Sequence, residues 1–403
     1  MKIIIQDVRK MTNIIDDIKL CTGCAACIQA CSNDAVIMKE NHEGFLYPEI
    51  NESKCTDCGL CRKTCPVNTA LNQEIPQNAN NISENIKVYA CYSKDDHIRK
   101  KSSSGGVFSL LAESVLSENG IVFGAEFDGN FRVRHGFIEK MDGIDTLRRS
   151  KYVQSDVGYT YGKAKNFLKE GRKVLFCGTP CQIAGLKGFL AREYQNLLTC
   201  DLACSGVPSP KIWEMYLGYM KDKYNGQIAE ISFRDKSAGW RDYNMSIIFK
   251  NSSQYIHKAK TETFFIGFGK NVFNRRSCFH CMFRIQNTKA DITLADFWGI
   301  DKLDDKVFTD NKGVSLALVH TQAGEAALSE IKENMCIKEH RFAAALAGNP
   351  RLVSSCREPG GRENFFNDLK SGFTFGKLRK KYMDNFSVKY KVKRLIKLIL
   401  RRI

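Results

Sequence analysis

Two runs of four cysteines are the residues of this chain whose spacing indicates the clearest chemistry. The runs are Cys21, Cys24, Cys27 and Cys31, and then Cys55, Cys58, Cys61 and Cys65, with Pro66 directly after. Each run reads C-x2-C-x2-C-x3-C, a spacing typical of proteins that hold 4Fe–4S clusters. Three thiolates at these intervals wrap one corner of a cubane. The two runs therefore predict two 4Fe–4S clusters and transfer of single electrons.

The ligands of the two clusters are expected to cross between the runs, because the fourth cysteine of such a run binds the cluster held mainly by the other. The first cluster is assigned to Cys21, Cys24, Cys27 and Cys65. The second cluster is assigned to Cys55, Cys58, Cys61 and Cys31. Zinc sites and disulfides are the alternatives, but zinc motifs pair two C-x2-C units across a longer gap. Two complete runs favour iron–sulfur clusters.

Composition and charge argue against secreted, membrane-spanning and nucleic-acid-binding proteins. The chain has 403 residues, enough for more than one domain, and its 17 cysteines favour metal ligands over disulfides in a cytoplasmic protein. The start of the chain does not resemble a signal peptide, and no apolar run has the length that spans a bilayer. Of the net charge of +17, residues 377–403 carry +10, from eleven Lys/Arg and one Asp. The body lacks a basic nucleic-acid motif, so we expect no DNA or RNA partner.

The chain divides into four predicted segments. Residues 12–71 resemble a doubled β-α-β unit around the cysteine runs, a two-cluster ferredoxin-type domain, and the polar, asparagine-rich residues 72–86 predict a linker. From residue 87, strand and helix patterns alternate, which predicts an α/β domain over 87–357. The predicted strands include 121–127 and 174–176, and a helix after them covers 182–190. Residues 358–403 form the C-terminal tail.

Two loops in the α/β region have residue types that bind ligands. Lys101-Ser-Ser-Ser-Gly-Gly106 opens a helix, and serine hydroxyls, glycine amides and a helix N-terminus together make a phosphate cradle. An ordinary helix cap at Ser103 or Ser104 is the alternative. Cys177-Gly-Thr-Pro-Cys-Gln182 lies between a strand and a helix, where open α/β sheets bind ligands. Two buried thiols in a tight turn are the plain alternative there.

A further C-x2-C pair, Cys278 and Cys281, needs two more ligands if it holds a metal. Alone, the pair fits a redox dithiol or half of a zinc site. Cys181 and Cys204 lie in loops that are able to converge on it, and Asp296 is an oxygen ligand that is able to replace a thiolate. In a chain with two other clusters, a third metal site is the favoured interpretation.

These motifs together resemble the beta-subunit family of coenzyme F420 hydrogenases and dehydrogenases. The resemblance runs from about Cys21 to about Arg357 and depends on the double cysteine run and then, in order, on SSSGGVFSLLAE, SKYVQSD, GTPCQIAGLK, DLACSGVPSP, CFHC and DITLADFWGI. It implies an α/β flavin-binding domain behind the ferredoxin-like domain, so the fold class is α+β and α/β. It also implies FAD beside a third 4Fe–4S cluster.

The resemblance assigns roles to individual residues. It implies phosphate contacts for Ser103, Ser104, Gly105 and Gly106, and pocket-lining roles for Thr179 and Gln182. Lys151 and Tyr152 are expected near the flavin, with Lys151 as the candidate catalytic charge that favours a reduced anionic flavin. The third cluster is expected on Cys204, Cys278 and Cys281, with Cys181 as the fourth ligand. Cys177 and Cys200 are interpreted as local variation, and Cys91, Cys336 and Cys356 as buried thiols.

The first functional hypothesis is a flavin-dependent iron–sulfur oxidoreductase that exchanges electrons with a soluble carrier or a partner redox subunit. Its substrate is expected to be a small molecule or saccharide-linked, with surface-polysaccharide synthesis as one setting. The alternatives are a non-catalytic electron-transfer subunit and, more weakly, a zinc-bound scaffold. Apolar residues from Val388 to Ile403 recur at helical spacing among basic ones, a pattern that predicts a basic amphipathic helix and peripheral contact with the inner membrane face.

Overall fold

A computed structural model describes residues 13–73, 86–303 and 306–384. Its strands are β1 (Val36–Glu40), β2 (Leu46–Ile50), β3 (Lys87–Ser93), β4 (Ile121–Phe127), β5 (Val133–Ile138), β6 (Val174–Cys177), β7 (Leu197–Leu202), β8 (Ile228–Asp235), β9 (Asn244–Phe249), β10 (Gln254–Lys258), β11 (Ile292–Asp296), β12 (Ser315–Val319) and β13 (Met335–His340). Its α-helices are α1 (Ala26–Ala30), α2 (Leu60–Thr64), α3 (Pro66–Leu71), α4 (Asp96–Lys101), α5 (Val107–Ser117), α6 (Ile144–Leu147), α7 (Thr160–Lys169), α8 (Pro180–Leu190), α9 (Pro210–Tyr224), α10 (Thr263–Gly269), α11 (Gln322–Glu330), α12 (Phe342–Gly348), α13 (Arg362–Lys370) and α14 (Phe375–Leu378).

The largest sheet in the described residues has eight strands in the order β13-β3-β12-β11-β7-β6-β4-β5. The central strands β4, β6, β7 and β11 are parallel, and β12 is antiparallel to both β11 and β3. Strand β3 therefore points the same way as the parallel strands. The loops after β3, β6, β7 and β11 consequently emerge at one edge of the sheet, here called the carboxyl edge.

Helices cover both faces of this sheet, which explains why the central strand β6 is apolar on both sides. Helices α5 and α11 pack on one face, where Leu111 and Leu328 belong to one apolar cluster with Leu175 and Leu198. Helices α7 and α8 pack on the other, where Tyr161 and Leu186 belong to the apolar cluster of that side. The predicted mixed α/β fold is confirmed.

The ferredoxin-like module, residues 13–73, packs directly on helix α8. Its helices α1 and α2 begin after left-handed residues, Ala25 at φ 60° and Gly59 at φ 72°. A Cβ placed on Gly185 of α8 would lie 3.0 Å from Sγ of Cys24. Glycine at this position therefore permits close contact between the first cysteine run and the large domain.

A second sheet of the described residues, β10-β9-β8, forms a separate aromatic core with α9, α10, α13 and α14. The chain end contributes to it, because Phe375, Leu378 and Met383 are almost fully buried there. The predicted tail thus includes packed residues up to 384. Its amphipathic pattern from Val388 to Ile403, and residues 74–85 of the predicted linker, lie outside the described residues.

Over residues 13–73, 86–303 and 306–384, no helix has both the length and the apolar character that crossing a bilayer requires.

Candidate functional site

The first three cysteines of the first run share their surroundings with the last cysteine of the second. Burial, with smaller contributions from the neighbouring thiols of Cys65 and Cys21, raises the pKa of Cys24 to about 12. Burial also raises the pKa of Cys27, with added contributions from Cys24, Cys21 and Cys65. Cys21, Cys24, Cys27 and Cys65 therefore lie close together, as the crossed ligand assignment requires for the first cluster, and Cys61 of the second run adjoins Cys27.

The other four ferredoxin cysteines surround a cleft that opens to solvent. The lining of the cleft includes Cys31, Cys55, Cys58 and Cys61. Burial raises the pKa of Cys61, and the other three thiols add to the rise. The amide of Ala35 points at Sγ of Cys31, 3.3 Å away. Hydrogen bonds to cysteine sulfur tune iron–sulfur clusters, so the residues present fit the second cluster.

Cluster ligands are spaced differently from the ligands of a single ion. Among the described residues, no three His, Cys, Asp or Glu side chains are close enough to hold one metal ion. One zinc ion draws its ligands to about 2.0–2.3 Å from a single centre. A cubane needs a wider ring of thiolates, because each of the four binds a different iron.

A third group of thiols lies where α8, the β7–α9 loop and the turn at Arg276–His280 meet. Burial raises the pKa of Cys204 to about 11, with the Arg284 guanidinium opposing the rise and Cys281 adding to it. Burial likewise raises the pKa of Cys181, and the neighbouring Cys281 and Cys204 contribute. Cys278 is also close to Cys204 and Cys281. The structure thus brings together the four residues expected to hold the third cluster.

A fifth thiol, Cys356, adjoins this group and was not among the expected ligands. Its Sγ lies 3.4 Å from the carbonyl oxygen of Cys278, and a Cβ placed on Gly206 would be 3.4 Å from the same sulfur. The residue follows Cys281 by 75 positions without a local motif, so the sequence carried no signal for it. The fourth ligand is therefore a choice between Cys181 and Cys356.

The first and third cysteine groups are adjacent. Cys21 and Cys65 of the first group and Cys181 and Cys281 of the third group all pack on one small apolar cluster. The residues of that cluster are Ile15, Val67, Ala70, Ala184 and Phe283. The two groups therefore share an apolar wall.

The loop that carries Cys181 is fixed by the capping box of α8. The Thr179 amide donates to Oε1 of Gln182 at 2.8 Å, and the Thr179 hydroxyl lies 3.2 Å from Sγ of Cys181. The side chain of Gln182 is only 4% exposed, so it holds the loop rather than lining an open pocket. Thr179 touches the thiol of a candidate ligand.

Two residues to which the sequence analysis gave no role, Ser155 and His135, extend this network. Nε2 of Gln182 donates to the hydroxyl of Ser155 at 2.9 Å, and Ser155 lies 2.9 Å from Nδ1 of His135. Nε2 of His135 donates to the carbonyl of Cys177 at 3.1 Å. Burial lowers the pKa of His135 to about 4, so the ring is neutral and carries its proton on Nε2. The chain of bonds fixes both ends of the loop.

The serine and glycine loop after β3 is anchored inward. The Ser104 hydroxyl donates to the carbonyl of Val314 at 2.7 Å, and the Ser103 hydroxyl accepts from the amide of Ser150 at 2.8 Å. A Cβ placed on Gly105 would lie 2.4 Å from the carbonyl oxygen of Cys91. In this arrangement the Ser104 hydroxyl hydrogen is not available to a phosphate.

Helix α5 begins at Val107, and the predicted serine cap is wrong. Gly106 occupies the N-cap position at φ 99°, a left-handed conformation that suits glycine, and no side chain caps the helix. The first amides of α5 are therefore the groups of this loop that are placed to bind an anion.

Cationic side chains lie behind this loop. Arg234 is 1% exposed, donates to the Ser103 carbonyl at 3.0 Å and pairs with Asp296 at 2.8 Å. Its Nε is buried without a hydrogen-bond partner. The Lys236 ammonium donates to the Ser104 carbonyl at 3.0 Å, and burial lowers the pKa of Lys236 to about 7. An uncapped helix start and an orphaned guanidinium N–H fit a phosphate-bearing cofactor.

Lys151 and Tyr152 occupy separate environments. Nζ of Lys151 donates to the carbonyls of Thr146 and Arg148, each at 2.8 Å, and burial lowers the pKa of Lys151 to about 7. Tyr152 packs edge-on against Phe265, with ring centroids 5.2 Å apart, within the aromatic core.

Asp296 pairs with Arg234 and does not lie among the thiols of the third group. It accepts from Arg234 and, at 2.6 Å, from Nε1 of Trp240. Trp240 in turn stacks on Trp298, with centroids 4.7 Å apart. The carboxylate thus fixes the basic and aromatic side chains beside the Ser103–Gly106 loop.

Comparison with known proteins identified two families. Residues 171–344 match the C terminus of the coenzyme F420 hydrogenase/dehydrogenase beta subunit, and residues 20–69 match the 4Fe-4S dicluster domain. A chain of the xenon-derivatised F420-reducing [NiFe] hydrogenase complex from Methanosarcina barkeri is 16% identical, with a TM-score of 0.42, over 73% of this chain and 89% of that chain. No curated protein matched.

The two family matches agree with the cysteine groups in the structure. The match at residues 20–69 spans all eight ferredoxin cysteines, and the match at 171–344 includes Cys181, Cys204, Cys278 and Cys281. The chain is therefore an iron–sulfur electron-transfer protein in which a 4Fe-4S dicluster domain precedes a region that matches the C terminus of the coenzyme F420 hydrogenase/dehydrogenase beta subunit.

Proposed function

We propose that the protein is a flavin-dependent iron–sulfur oxidoreductase in which three 4Fe–4S clusters connect an external one-electron partner to FAD. The observation that carries the proposal is the continuity of the three cysteine groups. Burial raises the pKa of Cys181, and Cys24 of the first cluster adds to the rise, while Cys181 and Cys65 pack on one apolar cluster. FAD, when bound, supplies the exchange between hydride and single-electron chemistry.

The flavin is proposed to bind at the carboxyl edge of the large sheet. The Ser103–Gly106 loop lies there, and its carbonyls are held by Arg234 and Lys236. The open amides of α5 and the unpaired Nε of Arg234 are the groups that would hold the cofactor phosphates. When its amine is protonated, Lys151 supplies a positive charge that favours a reduced anionic flavin. Thr179 and Gln182 hold the neighbouring loop that carries Cys181.

Cofactor analysis of protein purified without oxygen tests this proposal. About twelve iron atoms and about one FAD per chain are expected, from three cubanes and one flavin. Arg234→Gln should lower the flavin content while the iron content stays unchanged. Arg132→Gln is the matched control, because Arg132 is 62% exposed and lies in a surface pair with Glu214. A flavin-free protein with full iron content would refute the enzyme and support an electron-transfer subunit.

The electron-transfer subunit is the second candidate, and the surface of the ferredoxin-like module favours it. Four of the nine exposed large apolar side chains among the described residues belong to this module, namely Ile18, Ile37, Leu60 and Leu71. Leu60 also lines the cleft of the second cluster. An exposed apolar surface beside a cluster suits a redox partner. Turnover of an organic acceptor by the isolated protein would favour the oxidoreductase over the electron-transfer subunit.

A saccharide-linked substrate at a membrane is a narrower part of the proposal and depends on residues 385–403. Leu378 and Met383 are buried in the aromatic core, so a truncation that tests the tail should begin at residue 385. Deletion of 385–403 should abolish flotation of the protein with anionic liposomes, while iron content and melting temperature stay unchanged. Unchanged flotation would remove membrane contact from the proposal and leave the oxidoreductase untouched.

A further inference from the structure

Cys177 and Cys200 are direct neighbours on the two central strands of the large sheet. Cys177, the last residue of β6, pairs with Cys200 of β7 in parallel register. Both side chains point to the face covered by α5 and α11, and the two thiols share a hydrogen bond. Neighbouring strands lie about 4.8 Å apart, within the Cα separations of about 4.4–6.8 Å that a disulfide spans. A bond between these sulfurs therefore requires little backbone movement.

The two thiols differ in access. Cys200 is 1% exposed, whereas Cys177 is half-buried at the carboxyl edge. The hydrogen bond with Cys177, together with burial, raises the pKa of Cys200 well above that of an ordinary thiol. A partly exposed cysteine paired with a buried one of raised pKa matches the arrangement of attacking and resolving residues in disulfide exchange.

We propose that Cys177 and Cys200 form a thiol–disulfide redox pair that reacts with a low-molecular-weight disulfide. The Cys177 thiolate attacks one sulfur of the external disulfide, so a mixed disulfide forms and one small thiolate leaves. Cys200 then attacks Sγ of Cys177 and releases the second small thiol. The protein loses two electrons and two protons, and the external disulfide gains them as two thiols.

The position of the pair gives its oxidation a structural consequence. The amide of Gly178 donates to the carbonyl of Cys200 at 3.1 Å, and the chain then continues into the loops that carry Cys181 and Cys204. A covalent bond between Cys177 and Cys200 would therefore lie four residues before each of two candidate ligands of the third cluster, Cys181 and Cys204. The proposal does not depend on flavin binding.

The test uses reduced, anaerobically purified holoprotein incubated with oxidised glutathione, alkylated and then digested with trypsin. The expected product joins peptides 174–187 and 193–211. Because these peptides also contain Cys181 and Cys204, fragment ions must place the bond between Cys177 and Cys200. Iron content measured on the same sample shows whether the clusters survived.

Variants separate the two roles. Cys200→Ala should trap glutathione on Cys177 as a stable mixed disulfide, whereas Cys177→Ala should take up none at Cys200, which is buried. Cys91→Ala is the matched control, because Cys91 is buried on the same face and contacts the carbonyl of Ser315. It should leave the cross-link intact.

Three results would overturn the proposed redox pair. The first is a cross-link that appears only after unfolding in guanidinium, and the second is a bond placed at Cys181 or Cys204 with loss of iron. The third is glutathione that stays on Cys177 of the wild-type protein without formation of the internal disulfide.

Discussion

Glu43 and Arg362 form a two-pronged ion pair in which both side chains are buried. Nη1 of Arg362 donates to Oε1 of Glu43 at 2.9 Å, and Nη2 donates to Oε2. The side chains are 5% and 1% exposed. Glu43 lies in the turn between β1 and β2 of the ferredoxin-like module, and Arg362 begins α13. The pair thus fastens the module to the helices near the chain end, and Nε of Arg362 also donates to the carbonyl of Asn274.

Replacement of Glu43 by alanine should destabilise the protein strongly. It leaves the Arg362 guanidinium buried without its partner, and loss of one member of a buried pair costs about 3–5 kcal/mol. The measurement is the melting temperature of the anaerobic holoprotein. The matched control is Glu49→Ala, because Glu49 and Lys39 form an exposed pair at 3.0 Å and such pairs contribute about 0–1 kcal/mol. Equal shifts for the two variants would show that the buried pair does not fasten the module.

The crossed arrangement of the ferredoxin cysteines predicts which variants share a phenotype. Cys31→Ala and Cys61→Ala should both lose the second cluster, because their thiols line the same cleft. Cys65→Ala should lose the first cluster, because Cys65 lies beside Cys24. Each variant should fall from about twelve to about eight iron atoms per chain.

Electron paramagnetic resonance of the dithionite-reduced proteins distinguishes the pairs. Cys31→Ala and Cys61→Ala should keep the same remaining signals, and Cys65→Ala should keep different ones. Cys336→Ala, at a partly exposed position on the edge strand β13, is the control and should keep all of them. Spectra of Cys31→Ala that match those of Cys65→Ala would contradict the crossed assignment.

The sequence predicted the elements better than the contacts between them. The strand expected at 121–127 is β4 in the structure, and four of its seven residues, Ile121, Val122, Phe123 and Phe127, are β-branched or aromatic. The helix expected from residue 182 begins two residues earlier, at Pro180. Local composition determines such elements, and only their ends depend on neighbours.

The serine cap of α5 failed for a reason that local sequence does not show. Ser104 binds the carbonyl of Val314, 210 residues away, and Ser103 binds Ser150. Cys356, His135 and Ser155 were missed for the same reason, since each joins the site through a partner distant in sequence. The cysteine runs could be predicted from the sequence because most ligands of each cluster lie within one short segment, so their spacing determines the geometry of the site.

Replacement of Gly105 by alanine should displace the Ser103–Gly106 loop. A Cβ there would lie 2.4 Å from the carbonyl oxygen of Cys91 and 2.7 Å from the amide nitrogen of Ser315. Neither backbone atom moves easily within the sheet, so a cost of about 1–3 kcal/mol is expected. Melting temperature and flavin content should both fall. The control is Gly129→Ala, because a Cβ on Gly129 meets nothing within 4 Å. An equally large loss of stability in Gly129→Ala would show that steric overlap at Gly105 is not the cause.

Lys151 should make stability depend on pH in the alkaline range. Burial lowers its pKa to about 7 in the folded protein, whereas an unfolded lysine has a pKa of about 10.4. Between these values the unfolded chain binds a proton that the folded protein does not, so the free energy of unfolding rises with pH, by up to about 1.4 kcal/mol per pH unit. Lys151→Met removes this contribution. The melting temperature of the wild-type protein, relative to that of the variant, should therefore increase from pH 7.5 to pH 9. Parallel pH curves for the two proteins would contradict this and would mean that the Lys151 ammonium stays charged among the carbonyls of Thr146 and Arg148.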